Sequence, residues 1–174
     1  MEEKKGNIYQ PTEDLVITRF FDAPDELVWK AWTEPEIFKR WWGPKGFTIP
    51  FAKIDLRVGG VYHNCMRAPD GKEYWSRGVY REIAPLEKIV CTDSFSDKEG
   101  NIVSATQYGM SANFPPELLI TVTFSEFAGK TRLTLRHSGI PAGKDHDDCL
   151  TGWSESFDKL AEELAKECAA LGVC

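Results

Sequence analysis

The segment from Val16 to Pro44 constrains the fold more than any other part of the chain. It reads VITRFFDAPDELVWKAWTEPEIFKRWWGP, a pattern that predicts one strand, two short helices and a turn rich in tryptophan. So short a unit cannot bury its own apolar faces. The rest of the chain must therefore supply a sheet and a long helix that close over them, and such an arrangement encloses a pocket.

The remaining sequence supplies both of these parts. Near the C-terminus, apolar residues step by three or four from Leu150 through Phe157 to Leu171, which predicts one amphipathic helix over residues 147–171. At 1.5 Å per residue this helix is roughly 35 Å long, enough to cross a sheet. Strands follow one another in nearly unbroken order, which favours an antiparallel sheet and an α+β protein. The predicted strands are 15–21, 47–56, 61–67, 73–83, 89–95, 118–127 and 131–137.

Length, charge and cysteine usage exclude several classes of protein. The 174 residues fit one domain, 1–174, in which we expect residues 1–12 to form a flexible N-terminal arm. The net charge of −6 argues against a nucleic-acid partner, which would need a basic face. The five cysteines are scattered, which predicts free thiols in a reducing cytoplasm.

Membrane insertion, metals and cofactors are not expected either. The charged N-terminus is not a signal peptide, and no apolar run approaches the roughly 20 residues that span a bilayer. His63, His137 and His146 are too far apart in sequence to suggest a metal site, and we predict no metal and no cofactor. His137 is interpreted as a structural residue. Monomer and homodimer remain open.

Five segments in a fixed order carry a resemblance to a known family. The order of elements resembles the helix-grip fold of the START-like, birch-pollen-allergen-like superfamily (SRPBCC). More closely, the chain resembles the family of homologues of the activator of the ninety-kilodalton heat-shock protein's ATPase, as a single-domain member, over residues 15–164. The segments are APDELVWKAWTEPEIFKRWWGP (23–44), DLRVGGVYHNCMRAPDG (55–71), GVYREIAPLEKIVCT (78–92), LTLRHSGIP (133–141) and GWSESFDKL (152–160).

The resemblance implies a seven-stranded antiparallel sheet wrapped around a long C-terminal helix, with two short helices after strand one. Ligands of helix-grip folds bind between the concave sheet and that helix. Tyr62, Asn64 and Met66 alternate on one strand, so they face the same side, and we expect that side to be the inner one. The residues predicted to line the cavity are Trp41, Trp42, Phe51, Tyr62, Asn64, Met66, Trp75, Tyr80, Trp153 and Phe157.

Three functions remain open from the sequence. The first is a small-molecule-binding protein that holds an apolar or aromatic ligand in this cavity. The second is an enzyme of the polyketide cyclase or hydrolase type, which needs a titrating acid such as Glu82 or Asp93 in the cavity. The third is an interaction module like the chaperone activator, with an exposed apolar patch around Trp41 and Trp42. No catalytic residue is assigned, and residues 102–114 are open as a lid or a surface loop.

Overall fold

The computed structural model of the chain describes residues 11–174. They form seven strands, three α-helices and one short 3-10 helix over Ala105–Tyr108. The strands are β1 (Leu15–Phe21), β2 (Thr48–Ile54), β3 (Val61–Arg67), β4 (Glu73–Ala84), β5 (Lys88–Ser96), β6 (Leu118–Phe127) and β7 (Lys130–Ser138). The helices are α1 (Asp25–Thr33), α2 (Pro35–Trp41) and α3 (Lys144–Leu171).

All seven strands belong to one antiparallel sheet in the order β1-β7-β6-β5-β4-β3-β2. Consecutive strands from β2 to β7 are neighbours, and β1 joins the open side of β7. The sheet is curled, and α1, α2 and α3 lie against its concave face. The α+β helix-grip fold predicted from the sequence is confirmed.

The two short helices bury one face each. Pro24 precedes α1, and its carbonyl accepts the backbone N–H groups of Leu27 and Val28, which starts the first turn. Pro35 occupies the first turn of α2, where its fixed φ suits the helix and no N–H is needed. Trp41, at the end of α2, is completely buried, and its indole Nε1 donates to the carbonyl of Ala31 at 2.8 Å. This bond fixes α2 against α1.

Helix α3 begins at Lys144, three residues before the predicted start. Phe157 and Leu160 are completely buried on the face that meets the sheet. The helix ends at Gly172, whose φ of 66° is the left-handed conformation that glycine adopts easily.

The end of α3 contains the one disulfide of the described residues, between Cys168 and Cys174. The prediction that every cysteine is a free thiol is therefore wrong for this pair. Gly172 reverses the chain, and this brings the Cα atoms of the two cysteines to 5.2 Å. Cys65, Cys91 and Cys149 are free.

The predicted N-terminal arm, residues 1–12, falls mostly outside the described residues. Of its last two residues, Thr12 bridges Pro141, and the Ala142 N–H donates to the Pro11 carbonyl at 2.9 Å. Within residues 11–174, no helix has the combination of length and apolar character needed to cross a membrane.

Candidate functional site

A cavity of about 340 Å³ lies between the concave face of the sheet and α3. Its wall is mostly apolar and aromatic, with a few polar side chains. The main lining residues are Trp42, Phe47, Met66, Tyr74, Ser76, Asp93, Phe95, Met110, Phe114, Leu118, His137, Cys149, Gly152, Trp153 and Ser156. Both the volume and the mixture of residues are typical of small-molecule sites.

Strand pairing and helical spacing place these residues. Met66 of β3 lies opposite Tyr74 of β4, so both side chains point to the concave face. On α3, Cys149, Trp153 and Ser156 recur at steps of three or four and share the face that borders the cavity. The rings of Trp153 and Trp42 meet edge to face, with centroids 5.1 Å apart.

The turn after α2 forms part of the cavity rim, and Lys159 holds it. The Lys159 ammonium lies within hydrogen-bonding distance of four backbone carbonyls, those of residues 42, 43, 44 and 47, at 3.2–3.4 Å. Burial of the ammonium lowers the pKa of Lys159, and the charge of Glu155 opposes that shift. The aromatic side chains of Trp42 and Phe47 are thereby positioned from α3.

We expect Lys159→Met to lower the free energy of unfolding by about 1–3 kcal/mol, the usual range for losing hydrogen bonds to a charged group. The methionine retains most of the stem but leaves the four carbonyls without their donor. Urea denaturation measures the loss of stability, and hydrogen exchange reports whether the backbone amides of residues 43 and 45–47 exchange faster. Lys166→Met, at an exposed position of the same helix, is the control. Equal effects of the two changes would contradict the role assigned to Lys159.

Asp93 of β5 is the central polar group of the cavity wall. The Tyr62 hydroxyl donates at 3.0 Å to Asp93 Oδ1, and it lies equally close to the Thr92 carbonyl. The Nε2 atom of His137 is 3.1 Å from Asp93 Oδ2. That oxygen lies off the direction of the ring N–H, so His137 Nε2 makes no hydrogen bond within residues 11–174.

Trp153 determines which nitrogen of His137 carries the proton. The indole N–H is a donor only, and it donates to His137 Nδ1 at 3.1 Å. His137 Nδ1 therefore accepts, and the single ring proton of this neutral tautomer is on Nε2, beside Asp93. The sequence interpretation of His137 as a structural residue missed its place in the cavity wall.

Burial and the negative charge of Asp93 act on neighbouring groups. Burial raises the pKa of Tyr62 well above its ordinary value, and the Asp93 charge adds to that shift. Burial, followed by the charge of Asp93, raises the pKa of Cys149 to about 12. Both groups are therefore protonated at neutral pH, and Cys149 is not a reactive thiolate.

A second, smaller chamber of about 30 Å³ lies on the other side of Trp42. Tyr62, Asn64 and Tyr80 are part of its wall. The Ser76 hydroxyl donates to Asn64 Oδ1 at 3.1 Å and connects the walls of the two cavities. The chamber has room for roughly one water molecule, so it adds little space for a ligand.

The structure divides the ten predicted cavity residues into four groups. Trp42, Met66 and Trp153 border the larger cavity. Tyr62, Asn64 and Tyr80 border the smaller chamber, as Trp42 also does. The remaining four border neither: Trp41 and Phe157 are completely buried in the core, and Phe51 and Trp75 contact each other on the convex face.

The placement of Phe51 and Trp75 corrects the sequence analysis. Phe51 lies opposite Cys65, a position of β3 that alternates with Asn64 and Met66. Trp75 alternates in the same way with Tyr74 and therefore points outward. With His63 the two rings form an outer aromatic cluster, with centroids 5.0–5.6 Å apart.

The structure also places the two proposed acids, the predicted apolar patch and residues 102–114. Glu82 is about half exposed and pairs with Lys88 at 3.2 Å away from the cavity, so of the two proposed acids only Asp93 lies in the wall. The predicted apolar patch around Trp41 and Trp42 is absent, because Trp41 is buried and Trp42 packs between two cavities. Residues 102–114 contain the 3-10 helix, and Met110 and Phe114 close one side of the cavity.

Comparison with known proteins agrees with this architecture. The family model described as activator of Hsp90 ATPase homolog 1-like protein matches residues 22–165, more than half of the chain. The chain belongs to this family. No curated protein matches it.

Several solved structures share the fold. Protein CV1439 from Chromobacterium violaceum is 28% identical over 87% of this chain and 96% of its own, with a TM-score of 0.73. Protein NE0264 from Nitrosomonas europaea is 25% identical over 90% and 96%, with the same TM-score. An AHSA1 protein from Silicibacter pomeroyi is 25% identical over 89% and 99%, with a TM-score of 0.67. The AHSA1-type domain with its curled sheet is a ligand-binding type of fold in general terms.

Proposed function

We propose that this protein binds one small, mainly apolar or aromatic molecule in the cavity between the sheet and α3. The observation that supports this most directly is the cavity itself, about 340 Å³ lined mainly by aromatic and aliphatic side chains. A cavity of roughly 150 Å³ in another protein accepts a benzene ring, so this one suits a molecule of about two to three rings. The AHSA1 family relationship supports a binding role without naming a ligand.

Burial of apolar ligand surface supplies the affinity, because each buried CH₂ group contributes about 0.8 kcal/mol. The aromatic rings of Trp42, Trp153 and Phe95 offer flat contact surfaces. Met66 and Met110 add flexible, polarisable contacts that adapt to the shape of the ligand. This combination favours a planar, mainly apolar molecule.

Filling the cavity at Gly152 tests the proposal. Gly152 lies on the cavity face of α3, and a Cβ there would meet only Pro44 Cγ, at an ordinary 3.6 Å. We expect the neutral fluorescent probe N-phenyl-1-naphthylamine to bind the native protein saturably, one molecule per chain. Gly152→Leu should reduce that affinity by about tenfold or more, because the side chain occupies ligand volume.

Gly152→Ala is the matched control, and we expect it to bind the probe almost as well as the native protein. Absence of saturable binding to the native protein would contradict the proposal. Equal affinity in the Gly152→Leu variant would also contradict it, because the probe would then be bound elsewhere on the surface. Native mass spectrometry of the purified protein, with organic extraction, is the route to a natural ligand.

The Asp93–His137 pair favours a second candidate, an enzyme that acts on a ligand in the same cavity. The Asp93 carboxylate, with His137 Nε2 at 3.1 Å, lines a mainly apolar wall and is suited to accept a proton from a bound ligand. The two candidates differ in one measurement. A binding protein returns its natural ligand unchanged after long incubation, whereas an enzyme of the cyclase or hydrolase type alters the ligand's mass or isomer.

Some sequence predictions remain predictions. The cytoplasmic location was predicted from the expectation of free thiols. Cys65, Cys91 and Cys149 are free and agree with that expectation, whereas the disulfide between Cys168 and Cys174 does not. A chaperone partner and a homodimer are neither required nor supported by the cavity.

A further inference from the structure

Asp93 presents an unfilled acceptor to the cavity. Its Oδ1 atom receives the Tyr62 hydroxyl, but Oδ2 receives no hydrogen bond from residues 11–174. The side chain is 24% exposed and lines the cavity, whereas the neighbouring Nε2 of His137 is itself buried. A ligand atom therefore reaches the carboxylate oxygen and not the imidazole proton. A hydrogen-bond donor of the ligand completes this site.

The charge of Asp93 has no balancing cation in the cavity. Among residues 11–174, no lysine or arginine lines the cavity or pairs with Asp93. His137 does not supply a charge, because Trp153 donates to its Nδ1 and the ring is neutral. Asp148 at the cavity edge differs, because Lys144 pairs with it. The field inside the cavity is therefore negative.

Two lysines contact residues of the cavity wall without lining the cavity. Lys159 is bonded to carbonyls of the rim, and Lys72 lies over the Tyr74 ring, 5.2 Å from its centroid, where it donates to the Tyr108 carbonyl. Neither lysine lines the cavity. Aromatic faces attract a positive charge, so Trp42 and Trp153 favour the same sign of ligand charge as Asp93 does.

From these contacts we infer that the cavity selects a positively charged ligand, an aromatic or alicyclic amine whose ammonium group binds Asp93 Oδ2. This inference rests on the proposed function and adds the class of ligand to it. Two interactions contribute: a charge-assisted hydrogen bond to the carboxylate and contact with the aromatic wall. A carboxylate ligand is repelled by Asp93, and a neutral ligand leaves the charge of Asp93 unpaired.

A series of three probes of similar size and different charge tests the inference. The probes are 2-naphthylmethylamine, 2-naphthalenemethanol and 2-naphthoate, and each is titrated at pH 7 against the protein loaded with N-phenyl-1-naphthylamine. We expect the amine to displace the fluorescent probe at about tenfold lower concentration than the alcohol, with the carboxylate weakest. The order in the native protein decides the matter even if a variant fails to fold.

Two amide variants locate the effect. Asp93→Asn should bring the amine and the alcohol to within about twofold of each other, because it removes the charge and keeps the shape. Glu82→Gln makes the same change of charge on the adjacent strand β4, outside the cavity, and should leave the order intact.

The outcomes separate this inference from the proposed function. Binding of N-phenyl-1-naphthylamine with the alcohol or the carboxylate preferred over the amine would overturn the charge preference and leave the binding function standing. An amine preference that survives Asp93→Asn would likewise overturn the assignment to Asp93. Failure of all four compounds to bind would overturn both proposals.

Discussion

Replacing Trp41 with alanine is expected to lower the free energy of unfolding by about 3–5 kcal/mol, the range for removing a buried large aromatic side chain. Trp41 is completely buried, and its ring contacts Trp32, Phe38 and Phe157. The change also removes the donor that fixes α2 to Ala31 of α1. Urea denaturation followed by far-ultraviolet circular dichroism measures the loss. A typical domain has only about 5–15 kcal/mol to lose.

Trp42→Ala is the matched control at the adjacent position, and we expect the opposite balance of effects. Trp42 borders both cavities and is only partly buried, so its removal should cost less, about 1–3 kcal/mol. Binding of N-phenyl-1-naphthylamine should weaken strongly, because one wall of the site is missing. A stability loss at Trp42 as large as that at Trp41, with probe binding unchanged, would contradict the assignment of one tryptophan to the core and the other to the cavity.

The different positions of Trp41 and Trp42 could not be predicted from the sequence. From the sequence, both were assigned to the cavity wall or, for an interaction module, to an exposed apolar patch. Which of them meets the core depends on how α2 rotates against α1, and the Trp41–Ala31 bond determines that rotation. No local pattern reports a hydrogen bond between two helices.

Strand alternation would have improved the predicted site. Tyr62, Asn64 and Met66 were assigned to one face of β3, and the structure places all three on the concave side. The same rule, applied across the β3–β4 pairing, selects Tyr74 and Ser76 as their neighbours and puts Trp75 on the outer face. Trp75 was instead predicted to line the cavity, but the size and aromatic character of a side chain carry no information about which face of a strand it occupies.

The contact between Asp93 and His137 could not be predicted from the sequence, for a different reason. The two residues belong to β5 and β7, which are separated by β6 in the sheet. Their contact depends on the curl of the sheet and on Trp153 of α3, which donates to His137. Spacing along the chain offers no signal for such a contact, whereas the alternation of each strand does indicate its inner residues.

Gly78→Ala is the second change with a large expected effect. A Cβ at Gly78 would overlap with the carbonyl oxygen of Thr92 and with the ring of Tyr62, so the β4–β5 pairing and the tyrosine must both move. Overpacking of this kind usually lowers the free energy of unfolding by about 1–3 kcal/mol and occasionally by more. Because the new methyl group would overlap with backbone, we expect a loss near the upper end of that range. Because Tyr62 donates to Asp93 and helps to hold it in place, the variant should also weaken the amine preference of the cavity.

Gly152→Ala is the control, because it introduces the same methyl group in a position where the space is open. Gly152 lies within α3, where alanine is favoured over glycine by roughly 0.5–1 kcal/mol. The same substitution should therefore destabilise the protein at residue 78 and stabilise it at residue 152, as measured by urea denaturation. A neutral effect at Gly78 would mean that Tyr62 has room to move, and its bond to Asp93 would then not be a fixed part of the site. Retention of the amine preference in a destabilised Gly78→Ala variant would show that Asp93 binds the ammonium without the support of Tyr62.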